Sequence, residues 1–108
     1  LELANTLETL LARKKLFLNP DLNIQMLAEQ CNTRVHILSA LVNKHYNKTF
    51  LDFINYYRIE EAKTLLADPA QQKYSIDTIA HRSGFSSRSV FYTAFRKNTA
   101  STPGEYAK

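Results

Sequence analysis

The segment IQMLAEQCN at residues 24–32 is matched by the segment IDTIAHRSG at residues 76–84, which lies 52 positions further along the chain. Beyond each segment a second apolar set corresponds at a spacing of 53, namely Leu38, Leu41 and Val42 with Phe91, Ala94 and Phe95. Each copy predicts a short helix, a tight turn and a longer helix, with one residue inserted in the second turn. Gly84 suits a turn position of positive φ, and Asn32 tolerates the same conformation. Ala28 and Ala80 are small where two helices would cross. These features describe a helix-turn-helix motif, present twice.

The other segments also predict helices, because apolar residues recur at helical spacing and no stretch alternates as a strand would. We expect helices at about residues 4–15, 24–30, 34–45, 50–66, 76–82 and 88–97, with Arg34 at the start of the third. A final turn of helix is expected to begin at Thr102, with Pro103 at its first helical position. The expected N-caps are Asn23, Thr49, Ser75 and Ser87. The sequence therefore predicts an all-α fold of about seven helices, with two helix-turn-helix subdomains (homeodomain-like units) joined by a long central helix.

The predicted central helix is apolar over a wide arc that includes Leu51, so we expect it to be buried on two sides, between two bodies. Arg58 falls inside this arc. We therefore favour a structural ion pair for Arg58 over a contact with DNA.

Composition limits the compartment and the chemistry. The chain has 108 residues and a formal net charge of +4, which permits binding to nucleic acid without establishing it. Cys31 is the only cysteine, so neither an internal disulfide nor a zinc pattern can form, and we expect a reducing cytoplasm. No apolar run approaches the roughly 18–20 residues of a membrane span, and no signal peptide is recognisable. The absence of an initial Met suggests a piece of a longer protein.

The second helix of a helix-turn-helix motif enters the major groove, where its outward side contacts base edges. In the second copy the outward residues are Ser89, Thr93 and Arg96, with Tyr92 beside them and Arg88 in the first turn. In the first copy they are His36, Ala40 and Asn43, with Ser39 and Lys44 beside them and Arg34 at the start of the helix. Small side chains permit close approach, and Arg and Asn can make two hydrogen bonds to one base. The open alternative is that both surfaces are ordinary solvated helix faces.

The segment SIDTIAHRSGFSSRSVFYTAFRK at residues 75–97 resembles the second unit of the AraC/XylS family of bacterial regulators. Thr102-Pro103-Gly104-Glu105-Tyr106 is similar to the family's closing Ser/Thr-Pro-x-x-Tyr. Upstream, the resemblance to the family's first unit and connecting helix rests on Leu38-Ser39, Asn43, Phe50, Phe53-Ile54, Tyr57-Arg58-Ile59, Ala62 and Leu65-Leu66. It implies a monomeric, two-unit domain that contacts two successive major grooves. The implied base-contacting positions are Arg34, His36, Ser39 and Ala40 in one helix and Arg88, Ser89, Val90 and Thr93 in the other.

Three departures from the family pattern are visible. The chain has Ala100-Ser101 where the family usually has a Gly before its closing motif. The first turn carries Asn32 and Thr33 rather than a Gly or Ser pattern, and Ala40 stands where a longer polar residue is common.

The combined hypothesis is one AraC-type DNA-binding domain over residues 1–108. Its parts are a first helix-turn-helix at about 23–46, a connecting helix at about 49–67, a second helix-turn-helix at about 75–98 and a final turn of helix at 102–108. The predicted base readers are Arg34, His36, Ser39, Ala40, Asn43, Arg88, Ser89, Val90 and Thr93. The predicted phosphate contacts are Lys44, Lys48, Ser87, Tyr92, Arg96 and Lys97.

The expected partners are double-stranded DNA, RNA polymerase and a sensor or receptor region of the same protein outside this sequence. We expect a cytoplasmic transcriptional activator whose DNA-binding segment has no membrane contact, no cofactor and no metal.

The two alternatives to DNA binding are an enzyme and a helical protein-interaction module. An enzyme would need paired carboxylates, a Ser-His-Asp set, a phosphate loop or a metal cluster, and none is recognisable. Cys31 corresponds to Ser83 beside the turn, where a small buried residue is expected, so we interpret Cys31 as a core residue. A helical protein-interaction module would need an apolar groove, whereas the predicted outward faces are polar and basic. A steep dependence of binding on salt would favour DNA.

Overall fold

The computed structural model describes residues 2–71 and 73–107, and within these ranges it contains helices and no strand. The α-helices are α1 (Glu2–Lys14), α2 (Ile24–Gln30), α3 (Val35–His45), α4 (Phe50–Ala67), α5 (Ile76–Arg82), α6 (Arg88–Thr99) and α7 (Pro103–Ala107). Short 3₁₀ segments lie at Leu16–Leu18 and Pro69–Gln71. The prediction of an all-α fold with about seven helices is confirmed. The predicted outer boundaries at residues 1 and 108 lie outside the described residues.

Individual helix bounds agree closely with the sequence pattern. Helices α2 and α5 have the predicted bounds, whereas α1 begins earlier than the predicted Ala4 and α6 continues past Lys97 to Thr99. Helix α3 begins at Val35, so Arg34 is its N-cap residue, in extended conformation and without a side-chain cap bond.

The four predicted N-caps are confirmed, because each side-chain oxygen accepts a hydrogen bond from a backbone N–H three residues later. The donor-to-acceptor distances are 2.8 Å for Asn23, 3.2 Å for Thr49, 3.1 Å for Ser75 and 3.4 Å for Ser87. Helix α7 is capped reciprocally. The backbone N–H of Glu105 donates to the Thr102 hydroxyl, while the Glu105 carboxylate accepts from the Thr102 backbone and hydroxyl at 3.1 and 2.9 Å. These bonds lower the pKa of Glu105.

The chain divides into two compact units, the first ending at Ile54 and the second beginning at Asn55. The core of the first unit is formed by Leu7 and Leu11 of α1, Leu27 of α2, Leu38 and Val42 of α3, and Phe53 and Ile54 of α4, all at most 2% exposed. Helices α2 and α3 pack against each other. Cys31 is 7% exposed beside this core, and its burial raises the pKa of the thiol, so the expectation of a small buried residue is confirmed.

The core of the second unit joins α4, α5 and α6. It contains Ile59, Ala62, Leu66, Ile79, Ala80, Phe85, Phe91, Ala94 and Phe95. The ring of Phe91 makes edge contacts with Phe85 at 5.1 Å and with Phe95 at 5.7 Å between centroids, and Phe95 contacts Tyr106 at 5.5 Å. Such edge-to-face pairs stabilise a core beyond the area that they bury. Helix α6 is thereby held along one side, which leaves its opposite side at the surface.

Helix α4 runs from the first unit into the second. Leu51 is 59% exposed, so the expectation that it is buried as part of the apolar arc was wrong. Near the start of α4 the buried side is formed by Phe53 and Ile54 instead. Arg58 is 6% exposed. Its guanidinium lies 3.4 Å from the Asn55 side-chain oxygen and 5.9 Å from the centre of the Phe85 ring. Burial lowers the pKa of Arg58. A side chain buried to this degree belongs to the core, as expected; the ion pair itself stays a prediction.

Candidate nucleic-acid interface

The first helix of each copy ends in the same way, although the second turn is one residue longer. Asn32 and Gly84 have positive φ values of 54° and 99°, as the sequence predicted. In each turn the next residue donates its N–H to a carbonyl five residues earlier: Thr33 to Ala28 at 2.9 Å, and Phe85 to Ala80 at 3.0 Å. This bond belongs to the Schellman type of helix ending. It fixes how the second helix of each copy leaves the first, and so determines which side of that helix reaches the surface.

Ser83 strengthens the second turn. Its side chain is fully buried, and its hydroxyl donates to the Ile79 carbonyl at 2.8 Å. A buried hydroxyl with its hydrogen bond made adds to the turn without leaving an unsatisfied group.

The outward side of α6 carries most of the predicted contact residues of the second copy. Arg88, Ser89, Val90, Thr93, Arg96 and Lys97 are exposed, whereas Ser87 and Tyr92 are half-buried. Ser87 uses its hydroxyl as the N-cap of α6, so its side chain already has a role at the helix end. Ser89, Thr93 and Arg96 lie opposite Phe91 and Phe95, Val90 and Lys97 lie at the side of the helix, and Arg88 is its first residue.

Arg88 makes two contacts across the surface of the second unit. Its guanidinium lies 3.4 Å from the Asp77 carboxylate of α5 and 5.2 Å from the centre of the Tyr92 ring. The side chains of Arg88 and Asp77 are 68% and 52% exposed, so the ion pair is screened by water and is easily exchanged for another partner. Sequence reasoning missed Asp77, because a contact across the turn depends on the packing angle of α5 and α6.

The outward side of α3 is formed in the same way. Arg34, His36, Ala40, Asn43 and Lys44 are exposed and Ser39 is half-buried, while Lys48 is exposed in the loop that follows. At a spacing of 53, Arg34 occupies the position of Ser87, and His36 and Ala40 occupy those of Ser89 and Thr93. The structure thus places His36, Ala40 and Asn43 on the outward side of α3, whereas Arg34 is its N-cap residue and Lys48 lies beyond its end.

The first unit also contains an apolar cavity, wide open to solvent, that sequence reasoning did not anticipate. Its volume is about 540 Å³, and it is lined by Glu2, Leu3, Ile37, Ala40, Leu41, Lys44 and His45. The expectation that the outward faces are polar and basic therefore needs correction on both helices, because Ile37 on α3 and Val90 on α6 are each 45% exposed. The sequence did contain a signal for an exposed apolar residue here, because the spacing of 53 places Ile37 at the position of Val90, which was predicted to contact bases.

Two further features of residues 2–71 and 73–107 bear on other functions. No cluster of three or more His, Cys, Asp or Glu side chains is arranged to hold a metal ion there. None of the described helices combines the length and apolar character that crossing a membrane requires.

The double helix-turn-helix geometry agrees with the comparisons to known proteins. The family model described as a helix-turn-helix domain matches residues 27–108, so the chain belongs to that family of DNA-binding domains. The structure is similar to the C-terminal domain of AraT, a response regulator from Geobacillus stearothermophilus, with a TM-score of 0.78 and 26% identity over 97% of this chain and 82% of that chain. Within the family the chain is of the AraC type, which confirms the resemblance found in the sequence.

Two relatives in Escherichia coli (strain K12) are both described as uncharacterised HTH-type transcriptional regulators. YpdC is 32% identical over 85 residues and YijO is 37% identical over 71 residues. The alignments cover 77% and 66% of this chain, but the chain spans only 28% and 24% of the length of these relatives.

Proposed function

We propose that this chain binds a specific sequence of double-stranded DNA through α3 and α6, each in its own segment of major groove. The observation that carries the proposal is the repetition of one construction. In both copies the turn has a positive φ at the equivalent position and an equivalent backbone bond, and the longer helix exposes a row of side chains suited to bases and phosphates. A single exposed polar helix face is common, whereas two at equivalent positions of a repeat indicate a shared task.

The roles of the side chains follow from their chemistry. Arg88 and Asn43 can each make two hydrogen bonds to a purine, and Ser89 and Thr93 are short enough to let α6 approach the base edges. Arg96 and Lys97 in the last turn of α6, and Lys44 in that of α3, suit phosphates, which position a protein without reading sequence. The base readers remain Arg34, His36, Ser39, Ala40, Asn43, Arg88, Ser89, Val90 and Thr93, as the sequence predicts.

The domain organisation belongs to the same proposal. The first helix-turn-helix occupies about residues 23–46, the connecting helix about 49–67 and the second helix-turn-helix about 75–98. Because the relatives are several times longer than this chain, we propose that it is the output domain of a larger transcriptional regulator. A sensor or receptor region of that protein and RNA polymerase are the proposed protein partners, and the cytoplasm is the proposed compartment. A second candidate function, catalysis, has no observation in its favour.

The first test measures affinity against salt, using a duplex selected by the domain from a random pool. If about five phosphates are neutralised, a plot of log affinity against log salt has a slope near −4 to −5. A slope near zero would contradict binding to nucleic acid.

The second test separates base readers from phosphate contacts by repeating the selection with variants. Arg88→Ala should relax the sequence preference in one half of the site and weaken its binding by about 1–3 kcal/mol. Lys97→Ala should weaken all duplexes about equally. Lys63→Ala is a control of matched charge, because Lys63 lies outside α3 and α6 and pairs with Glu60 at 2.9 Å. An unchanged selected motif with Arg88→Ala would contradict the assignment of α6 as a recognition helix.

A further inference from the structure

Ile37 and Val90 are exposed apolar side chains at equivalent positions of the repeat. They are 53 positions apart, as are the buried pairs Leu38 and Phe91 and Val42 and Phe95. Each of the two is 45% exposed, although the residue that follows it in the chain is fully buried. Because one residue corresponds to about 100° around a helix, Ile37 and Val90 lie at the side of their helices, between the core and the outward face.

A lysine occupies the same side of each helix near its other end. Lys44 follows Ile37 by seven residues, and Lys97 follows Val90 by seven, which returns each chain to nearly the same side. We call this surface, Ile37 with Lys44 on α3 and Val90 with Lys97 on α6, the apolar flank of each helix. Both copies therefore combine an exposed, β-branched apolar side chain near the start of the helix with a lysine near its end.

The surroundings of Ile37 show what the apolar flank can accept. Ile37 lines the cavity of about 540 Å³ together with Ala40, a proposed base reader, and Lys44, a proposed phosphate contact. The apolar surface is therefore continuous with the proposed DNA-binding face. Ile and Val are stiff at χ1, so a contact that they make requires little further ordering of the side chain.

The chemistry of DNA offers one apolar group to such a surface. Among the edges of the four base pairs in the major groove, only the C5 methyl group of thymine is apolar, and small apolar side chains contact it. The same methyl group is present on 5-methylcytosine. A cation at the other end of the helix would meet the phosphate backbone, which is always close to a helix lying in the groove.

We propose that Ile37, and Val90 at the equivalent position, each read the C5 methyl group of a pyrimidine in the major groove. This inference rests on the proposed function and assigns part of its sequence specificity to two apolar contacts. It makes the domain sensitive to a single methyl group at one position for each helix, whether that methyl belongs to thymine or to methylated cytosine.

The test removes methyl groups from the DNA and side-chain atoms from the protein separately. Each thymine of the selected duplex is replaced in turn by uracil, which lacks only the C5 methyl, and affinity is measured by fluorescence anisotropy. We expect a loss of about fourfold at one thymine for each helix, the fold-change that corresponds to burying one methyl group. With Ile37→Ala the uracil effect should disappear at one of these thymines and persist at the other, and Val90→Ala should show the converse.

Val35→Ala is the matched control, because Val35 is 38% exposed on α3 but lies on the other side of that helix. It should leave both uracil effects unchanged. A second arm places a G·C pair with cytosine or 5-methylcytosine at each sensitive position, and tighter binding with 5-methylcytosine than with cytosine would show that the methyl group itself is recognised. Circular dichroism confirms that each variant keeps its helices.

The outcomes distinguish this inference from the proposed function. Specific, salt-dependent binding without any uracil-sensitive position would overturn the methyl contact alone and leave the proposed function intact. Uracil effects that persist with Ile37→Ala and Val90→Ala would overturn the assignment to these residues. Unchanged DNA affinity of Ile37→Ala, together with uracil insensitivity, would overturn the contact of Ile37 with DNA. Failure to select any duplex would overturn both proposals.

Discussion

Ala100 is held in a conformation that favours glycine, and its replacement by glycine should stabilise the domain. The residue follows α6 directly and has φ 60° and ψ 23°, in the left-handed region. Its N–H donates to the Arg96 carbonyl at 2.8 Å, the bond that accompanies a left-handed residue at a helix end. This is also the place where the AraC/XylS pattern usually has a Gly, whereas the present chain has Ala100-Ser101.

The size of the effect follows from two opposing contributions. A residue with a Cβ atom pays about 1–2 kcal/mol in the left-handed region, because the Cβ approaches the following carbonyl oxygen. Glycine avoids this strain, but it raises the conformational entropy of the unfolded chain, which costs about 0.4–1 kcal/mol. Ala100→Gly should therefore raise the free energy of unfolding by about 0.5–1 kcal/mol, and Tm by about 2–6 °C for a domain of this length.

Ala12→Gly is the matched control, since it makes the same chemical change at an exposed position inside α1. There glycine should destabilise by about 1 kcal/mol, because the helical conformation suits alanine. Both variants are measured by thermal and urea denaturation. Opposite signs would show that glycine relieves strain at Ala100. Equal destabilisation by the two substitutions would mean that the left-handed geometry at Ala100 imposes no strain.

Three further predictions concern other contacts. Asp77→Asn should strengthen DNA binding a few-fold at low salt, because it removes a negative charge that lies 3.4 Å from Arg88. The ion pair that is lost is exposed and therefore weak. Weaker binding would show that Asp77 instead orients Arg88 on the DNA. Hydrogen bonds from Thr102 lower the pKa of Glu105 in the folded chain. The ionised carboxylate therefore stabilises the fold fully at a pH above the ordinary pKa of a glutamate, about 4.3. This contribution is lost as the pH falls through the lower pKa of the folded state. The stability difference between the natural chain and Glu105→Gln, measured by urea denaturation, should accordingly shrink towards acid pH, and a pH-independent difference would contradict the assignment. Burial raises the pKa of Cys31, so iodoacetamide should alkylate the native chain at least about tenfold more slowly than the chain in urea, and equal rates would place the thiol at the surface.

The elements that sequence predicts best are those fixed by neighbouring residues. The N-cap of α6 needs only Ser87 and the N–H of Val90, three residues later, so the pattern of the sequence contains both partners. The positive φ of Asn32 and Gly84 follows equally from residue type and from position after a helix. The repeat then adds long-range information, because it identifies the buried side of α3 and α6 and, with it, the opposite outward faces.

Features that depend on tertiary packing could not be predicted in this way. The exposure of Leu51 depends on which side of the first turn of α4 is covered, and apolar residues occur on both sides. The Arg88–Asp77 contact depends on the crossing of two helices and on two rotamers. The 3₁₀ segment Leu16–Leu18 is too short to produce a periodic pattern, and it begins after Lys15, whose φ is 48°. The roles of the individual readers depend on the bound DNA and stay predictions.

We propose that one chain reads two successive segments of major groove with two different helices, which footprinting with measured stoichiometry can show. Because α4 continues from the first unit into the second without a break, the account predicts one chain bound to each asymmetric site of roughly 15–20 base pairs. Two protected segments should lie about one helical turn apart on the same side of the duplex. Inserting about 5 base pairs between them rotates one groove by half a turn, and affinity should then fall towards the non-specific level. A palindromic footprint that needs two chains, or unchanged affinity after the insertion, would contradict the account.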